Sequence, residues 1–215
     1  MRESSECFDG EKTRLPFGDG AGMHLCDRAD AMDLIASNEL VMQTPGAPAH
    51  FLDEHRLALH LDHLYHMEGK VDLNADDPPA GHWLPLADAE LLPGEFYLGV
   101  TSERIALGPG VAASLHTRSR YARLGLEILC SSNFVVPGFG STRPAPLVFE
   151  ITVRRCTTGL NSATAYCFAL IYRISSPRRE PNTADYNARF PIMHLADRVR
   201  GAHHGCAALH RHLGS

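Results

Sequence analysis

Lysine is nearly missing from this chain: of the 20 basic residues only Lys12 and Lys70 are lysines, and acidic residues outnumber basic ones, giving a formal charge of −5. That balance excludes a general nucleic-acid binder, which needs a basic face or stripe. The arginines that remain suit a small anionic ligand, because guanidinium binds phosphate through paired hydrogen bonds, although genome base composition is the preferred explanation of an arginine excess. No apolar run approaches the roughly 20 residues of a membrane span, and MRESSECFDGEKTR lacks the apolar centre of a signal peptide. The six cysteines, Cys7, Cys26, Cys130, Cys156, Cys167 and Cys206, form no C-x-x-C pair. A protein of the reducing cytoplasm, with mostly buried thiols and no membrane partner, is the expectation.

What the chain does contain is 44% hydrophobic residues over 215 positions, enough for one domain with extensions. Residues 1–22 are polar and glycine-rich and read as a flexible extension, so the ordered fold is expected to start at Met23. Asp27 is placed to cap a short helix carrying Ala31, Met32, Leu34 and Ile35 and ending near Asn38. Beyond it the period changes to two. Phe96, Leu98 and Val100 alternate with Tyr97, Gly99 and Thr101 between turns at LLPG and LGPG. In PLVFEITVRR, Leu147, Phe149, Ile151 and Val153 share one face, with Val148, Glu150, Thr152 and Arg154 on the other. AYCFALIYRI is apolar on both faces, as in a strand covered on both sides, and STRPAP reads as a long hairpin loop. Residues 178–215 form a polar, then histidine-rich tail, for which two readings stand: loosely held, or closing over a ligand.

Three stretches carry a resemblance. LLPGEFYLGVTSERIAL (91–107) looks like a strand leading into an active site, RSRYARLGL (118–126) resembles the signature R-S-S-x-A-R-x-G-L, and VVPGFGSTRPAPLVFEI (135–151) resembles D-P-G-F/W followed by a strand with a catalytic glutamate. MHLCDRADAMDLI (23–35) is similar to an opening helix. These occur in the order found in the dCTP deaminase branch of the dUTP diphosphatase superfamily. The resemblance implies an all-β fold, a distorted dUTPase-like jelly-roll over residues 23–177 with a short N-terminal helix, assembled as a homotrimer with sites between subunits. Fold alone does not establish activity, so the site is taken residue by residue.

By that resemblance Glu150 is the general base that activates water against C4 of a cytosine ring, Arg123 holds its carboxylate, and Ser119 hydrogen-bonds in the reacting centre. Arg118 and Arg120 lie toward the phosphates, Ser131 and Ser132 shape the base pocket, Val136 and Phe139 belong to the turn facing the sugar, and Tyr186 sits in a closing segment. The implied substrate is a pyrimidine nucleotide. No cofactor is required for the chemistry, and Mg2+ enters only with the nucleotide phosphates.

Zinc deaminases carry H-x-E with P-C-x-x-C. This chain has HME at 66–68 and no P-C-x-x-C, and the histidines His55, His60, His63 and His66 fall in a segment aligned with a strand, so no metal is expected. The sequence departs from the pattern at Val136, where the resemblance calls for aspartate, and at Arg120, where it calls for serine. His60 replaces a common arginine, Ala58 a common aspartate, and a later P-G-M turn is absent from GLNSATAY. Retained catalytic groups with altered recognition groups point to deamination of a shifted cytosine nucleotide. A dUTPase-like diphosphatase and a non-catalytic nucleotide-binding regulator are the alternatives.

Overall fold

The computed structural model describes residues 22–69, 80–129 and 133–175. The expectations for residues 1–21, for Ser131 and Ser132, and for the tail with Tyr186 lie outside the described residues. Gly22, placed with the extension in the sequence reading, is tied by its backbone and amide to Ser175.

The chain is mostly β. In order, the elements are β1 (Met23–Leu25), α1 (Arg28–Ala36), β2 (Leu40–Gln43), β3 (Leu57–Met67), β4 (Gly81–Pro85), β5 (Phe96–Leu107), β6 (Val111–Thr117), α2 (Ser119–Arg123), β7 (Leu126–Leu129), β8 (Phe134–Val135), β9 (Ala145–Val153) and β10 (Ala165–Ile174). Helix α1 starts where expected: the Asp27 carboxylate accepts from the Asp30 amide at 2.9 Å and Asp30 reciprocates, a capping box that satisfies two otherwise unpaired donors. It stops at Asn38, whose φ of 59° an asparagine tolerates better than most residues. Ala31 and Leu34 are buried, whereas Met32 stays on the solvent side. No described helix is long and apolar enough to cross a membrane.

All strand pairs are antiparallel and fall into two groups joined through β3. Its residues 57–60 pair with β10, which also pairs with β1 and β6, and β6 pairs with β8. Its residues 61–67 pair with β5 and β4, and β5 continues to β9 and β7, with β2 alongside its C-terminal end. Both groups contribute to one continuous hydrophobic cluster, including Leu57, Leu59, Leu61, Phe149, Ile151, Ala169 and Ile171.

Two expectations change. STRPAP is not a hairpin loop: β8 before it pairs with β6, β9 after it pairs with β5 and β7, so the segment carries the chain from one group of strands to the other. The alternation expected at 96–101 gives way to burial on both faces, with Tyr97, Leu98, Val100 and Thr101 all covered, because β5 lies in the middle of its group. Strand β10 shows the opposite tendency, with Tyr166, Cys167, Ala169 and Ile171 buried and Phe168, Leu170 and Tyr172 half-buried. Of the described thiols, Cys26 and Cys167 are buried and Cys156 is exposed. Burial pushes the Cys26 thiol up to about 11.

Candidate active site

Strand β9 alternates as the sequence requires: Leu147, Phe149, Ile151 and Val153 enter the core, leaving Val148, Glu150 and Thr152 half-buried on the outer face. The registers Leu98↔Glu150 and Val100↔Val148 set two buried aliphatic residues of β5 beside it, and Leu129 of β7 faces Glu150 at the other register position. The Glu150 carboxylate makes no hydrogen bond or ion pair with any described residue. Its diagonal neighbour on the same face, Glu127, is engaged: Arg154 Nε lies 2.8 Å from its carboxylate and Thr152 donates to it at 3.5 Å. The exposed basic group is thus committed to Glu127 and leaves Glu150 with unused acceptor capacity.

The signature segment forms the short helix α2. The Arg118 amide donates to the Tyr166 carbonyl at 3.1 Å, anchoring the helix start to β10, and Tyr121 packs on Tyr166 with ring centroids 4.9 Å apart. Gly125 ends it at φ 90°, where a β-carbon would come within 3.2 Å of Arg154 Cβ, so the glycine of the signature serves both conformation and close approach. Arg118, Ser119, Arg120 and Arg123 are all exposed, and the Arg120 guanidinium lies over the Tyr121 ring at 5.9 Å.

The P-G-F turn is built against the far end of β5. The Leu107 amide donates to the Phe139 carbonyl at 2.8 Å, and the Gly138 amide donates to the Leu107 carbonyl at 3.1 Å. Gly138 and Gly140 have φ of 86° and 67°, and a β-carbon on Gly140 would fall within 2.4 Å of the Ile105 carbonyl oxygen. Val136 is half-buried and Phe139 packs against the core.

These parts are spread along β9. The turn sits near the Ala145 end, through Ile105↔Ala145, and α2 leads into β7 near Val153 and Arg154, with Glu150 between them. At about 3.3 Å per residue, five residues separate Glu150 from the turn end by roughly 17 Å and three separate it from the α2 end by roughly 10 Å. A single chain therefore does not bring Ser119 or Arg123 into hydrogen-bonding contact with Glu150 among the described residues.

Two features were missed from sequence. Glu103 is fully buried, yet its carboxylate accepts from the His60 amide at 2.8 Å, from Ser102 Oγ at 3.0 Å, and meets His60 Nδ1 at 2.8 Å. Only the unusual histidine at 60 signalled it. The other is a group of imidazoles and carboxylates able to ligate a cation, His66, Glu68 and His82, on the opposite face of the sheet from Glu150. The absent P-G-M turn is replaced by an Asn161 turn, whose Oδ1 accepts from the Ala163 amide and the Thr164 hydroxyl.

A family model described as dCTP deaminase-like matches residues 57–159. The dCTP deaminase, dUMP-forming, of a Nocardioides species is 34% identical over 102 residues, covering 46% of this chain and 51% of that one. The enzyme of the same name from Kocuria rhizophila is 29% identical over 119 residues, covering 54% and 60%. The dCTP deaminase of Rhodospirillum rubrum is 31% identical over 108 residues, covering 46% and 50%. The chain thus spans about half the length of the curated relatives it matches. The crystal structure of 2'-deoxycytidine 5'-triphosphate deaminase from Agrobacterium tumefaciens shares the fold, with a TM-score of 0.51 at 17% identity over 70% of this chain and 48% of that one. The stretch that is dCTP deaminase-like, residues 57–159, contains the signature helix, the P-G-F turn and the strand-borne glutamate, and it is there that the chain is similar to dCTP deaminases.

Proposed function

We propose that this protein is a hydrolytic deaminase of a cytosine nucleotide whose chemistry runs without a catalytic metal, with Glu150 as general base. The observation that carries it is the state of Glu150: a half-buried carboxylate beside the buried Leu98, unpaired among the described residues. Such a group can accept a proton from a water held against a flat ring. As the water oxygen bonds to C4 of cytosine, the C4=N3 π pair moves onto N3, which takes the proton that Glu150 removes from the water. Glu150 then carries the remaining hydroxyl proton to the exocyclic nitrogen, the C4–N bond breaks as C4=O forms, ammonia leaves, and a uracil nucleotide and the Glu150 carboxylate remain.

Assembly as a homotrimeric jelly-roll supplies what one chain lacks. In this reading α2 of a neighbouring subunit brings Ser119 and Arg123 to Glu150, and closed cyclic symmetry repeats the arrangement at every interface. Arg118 and Arg120 hold the phosphates, and Mg2+ accompanies them as counter-ion. Val136 in place of a carboxylate removes a charge-assisted hydrogen bond to a sugar hydroxyl and shifts preference away from dCTP.

The names of the Nocardioides and Kocuria relatives end in dUMP-forming, a product that requires loss of diphosphate as well as ammonia. A panel of cytosine nucleotides, varied in sugar and phosphate number, assayed for ammonia and for pyrophosphate, tests the proposal. Ammonia alone supports it, and pyrophosphate alone replaces it with a diphosphatase. Saturable binding with neither product makes the protein a nucleotide-binding regulator.

A further inference from the structure

We infer that the β3–β4 edge carries a divalent-cation site, with zinc the best-suited occupant, built from His66, His82 and Glu68 with Glu95 beside them. It does not depend on the deaminase reading. The argument begins with register. His66 faces His82 across the two strands, and their rings stand edge to face with centroids 5.3 Å apart. Glu68 lies two residues beyond His66 and so on the same face, where its amide still bonds to the Ala80 carbonyl at 2.8 Å and closes the ladder. One ligand atom from each of His66, Glu68 and His82 falls within 4.8 Å of the others. Atoms bound about 2.1 Å from a tetrahedral ion lie roughly 3.4 Å apart, so small side-chain rotations close the set.

The second line of support is how His66 is held. Its ring stacks on Tyr97 at 4.7 Å and 23°, Tyr97 is itself fixed in the core, and Glu95 Oε2 lies 3.0 Å from His66 Nε2. A carboxylate on one imidazole nitrogen orients the ring as a ligand, or joins the ion as a fourth donor. Position 81 is glycine because a β-carbon there would collide with the His66 carbonyl and the Tyr65 ring, so β4 can approach closely enough to bring His82 into place. Two imidazoles with carboxylates favour zinc over magnesium or calcium, which take oxygen donors. The side chains of His82 and Glu68 are 51% and 52% exposed, so an ion enters without unfolding.

This site is separate from the proposed chemistry. His66 shares its face with Tyr97 and Ile151, whereas Glu150 shares the other with Leu98 and Tyr65. An ion here fastens the edge strand β4, β3 and the entry to β5 together.

The full chain is titrated with zinc by calorimetry, and with cobalt(II) while recording its visible bands, for the parent, His82→Ala and Glu68→Gln. Histidines elsewhere bind zinc too, so the site is read as a difference between proteins. The parent is expected to take up one more tight equivalent than His82→Ala, and to show tetrahedral cobalt bands that this variant lacks. Zinc is expected to raise the unfolding midpoint of the parent and not of His82→Ala, with Glu68→Gln binding at least about tenfold more weakly. Equal stoichiometry, equal cobalt spectra and equal zinc-induced shifts in all three proteins would overturn the site, leaving two surface ion pairs.

Discussion

Two glutamates of this sheet share a strand environment and differ in nearly everything else. Glu103, on β5, is wholly buried and accepts three hydrogen bonds, two of them from His60. Glu150, on β9, keeps partial access to solvent and has no partner among the described residues. A buried carboxylate with both oxygens hydrogen-bonded is fixed in the fold, because losing a donor leaves a charge short of a partner where water cannot follow. A half-covered carboxylate with none retains its capacity for a ligand or a proton. The fold spends polar contacts on the first and withholds them from the second.

The sharpest way to break this contrast is to change each acid to its amide. Glu150→Gln is expected to lower turnover on the preferred nucleotide by roughly 10²- to 10⁴-fold while the unfolding free energy in denaturant titration stays within about 0.5 kcal/mol of the parent. Activity within a fewfold of the parent would remove Glu150 from the chemistry. His60→Leu is expected to destabilise the protein by about 3 kcal/mol in denaturant titration, since it leaves the Glu103 carboxylate short of a donor. Replacing both partners, His60→Leu with Glu103→Leu, should recover most of that loss. A double variant no better than the single one would show that the pair matters for packing rather than for charge.

A smaller effect is expected at the turn. Val136→Asp should raise the rate on dCTP relative to the preferred nucleotide by roughly tenfold, the scale of one hydrogen bond to a charged group. A wild-type protein already as efficient on dCTP as on any other cytosine nucleotide would make the change at 136 neutral. The smallest concerns a third carboxylate. Glu90 accepts from the exposed Cys156 thiol at 2.9 Å, and that hydrogen bond holds the thiol above its ordinary range. Glu90→Gln should lower the Cys156 value toward normal and speed its alkylation near pH 8 several-fold, followed by mass spectrometry.

Local patterns were legible from the residues alone. Asp27 announced a helix start because a cap acts within one turn, and the alternation through 147–153 announced which way Glu150 points. Contacts set by register were not. His60 and Glu103 are 43 residues apart, and His66 meets His82 only once β3 and β4 are paired, so no spacing in the chain marks either. The STRPAP segment was misread for a related reason: proline and polar residues mark a loop, but not which strands the loop connects. The P-G-F turn and the signature helix were found as motifs, and their distance from Glu150 along β9 could be seen only in three dimensions.

Strand β3 gives its first four residues to one group of strands and the rest to the other. Neither group of strands can therefore melt while the other stays whole, for the shared strand would have to be ordered and disordered at once. Amide exchange should report this as a common opening energy for Leu59, on the β10 side, and Leu64, on the β5 side, and heating should give one transition rather than two.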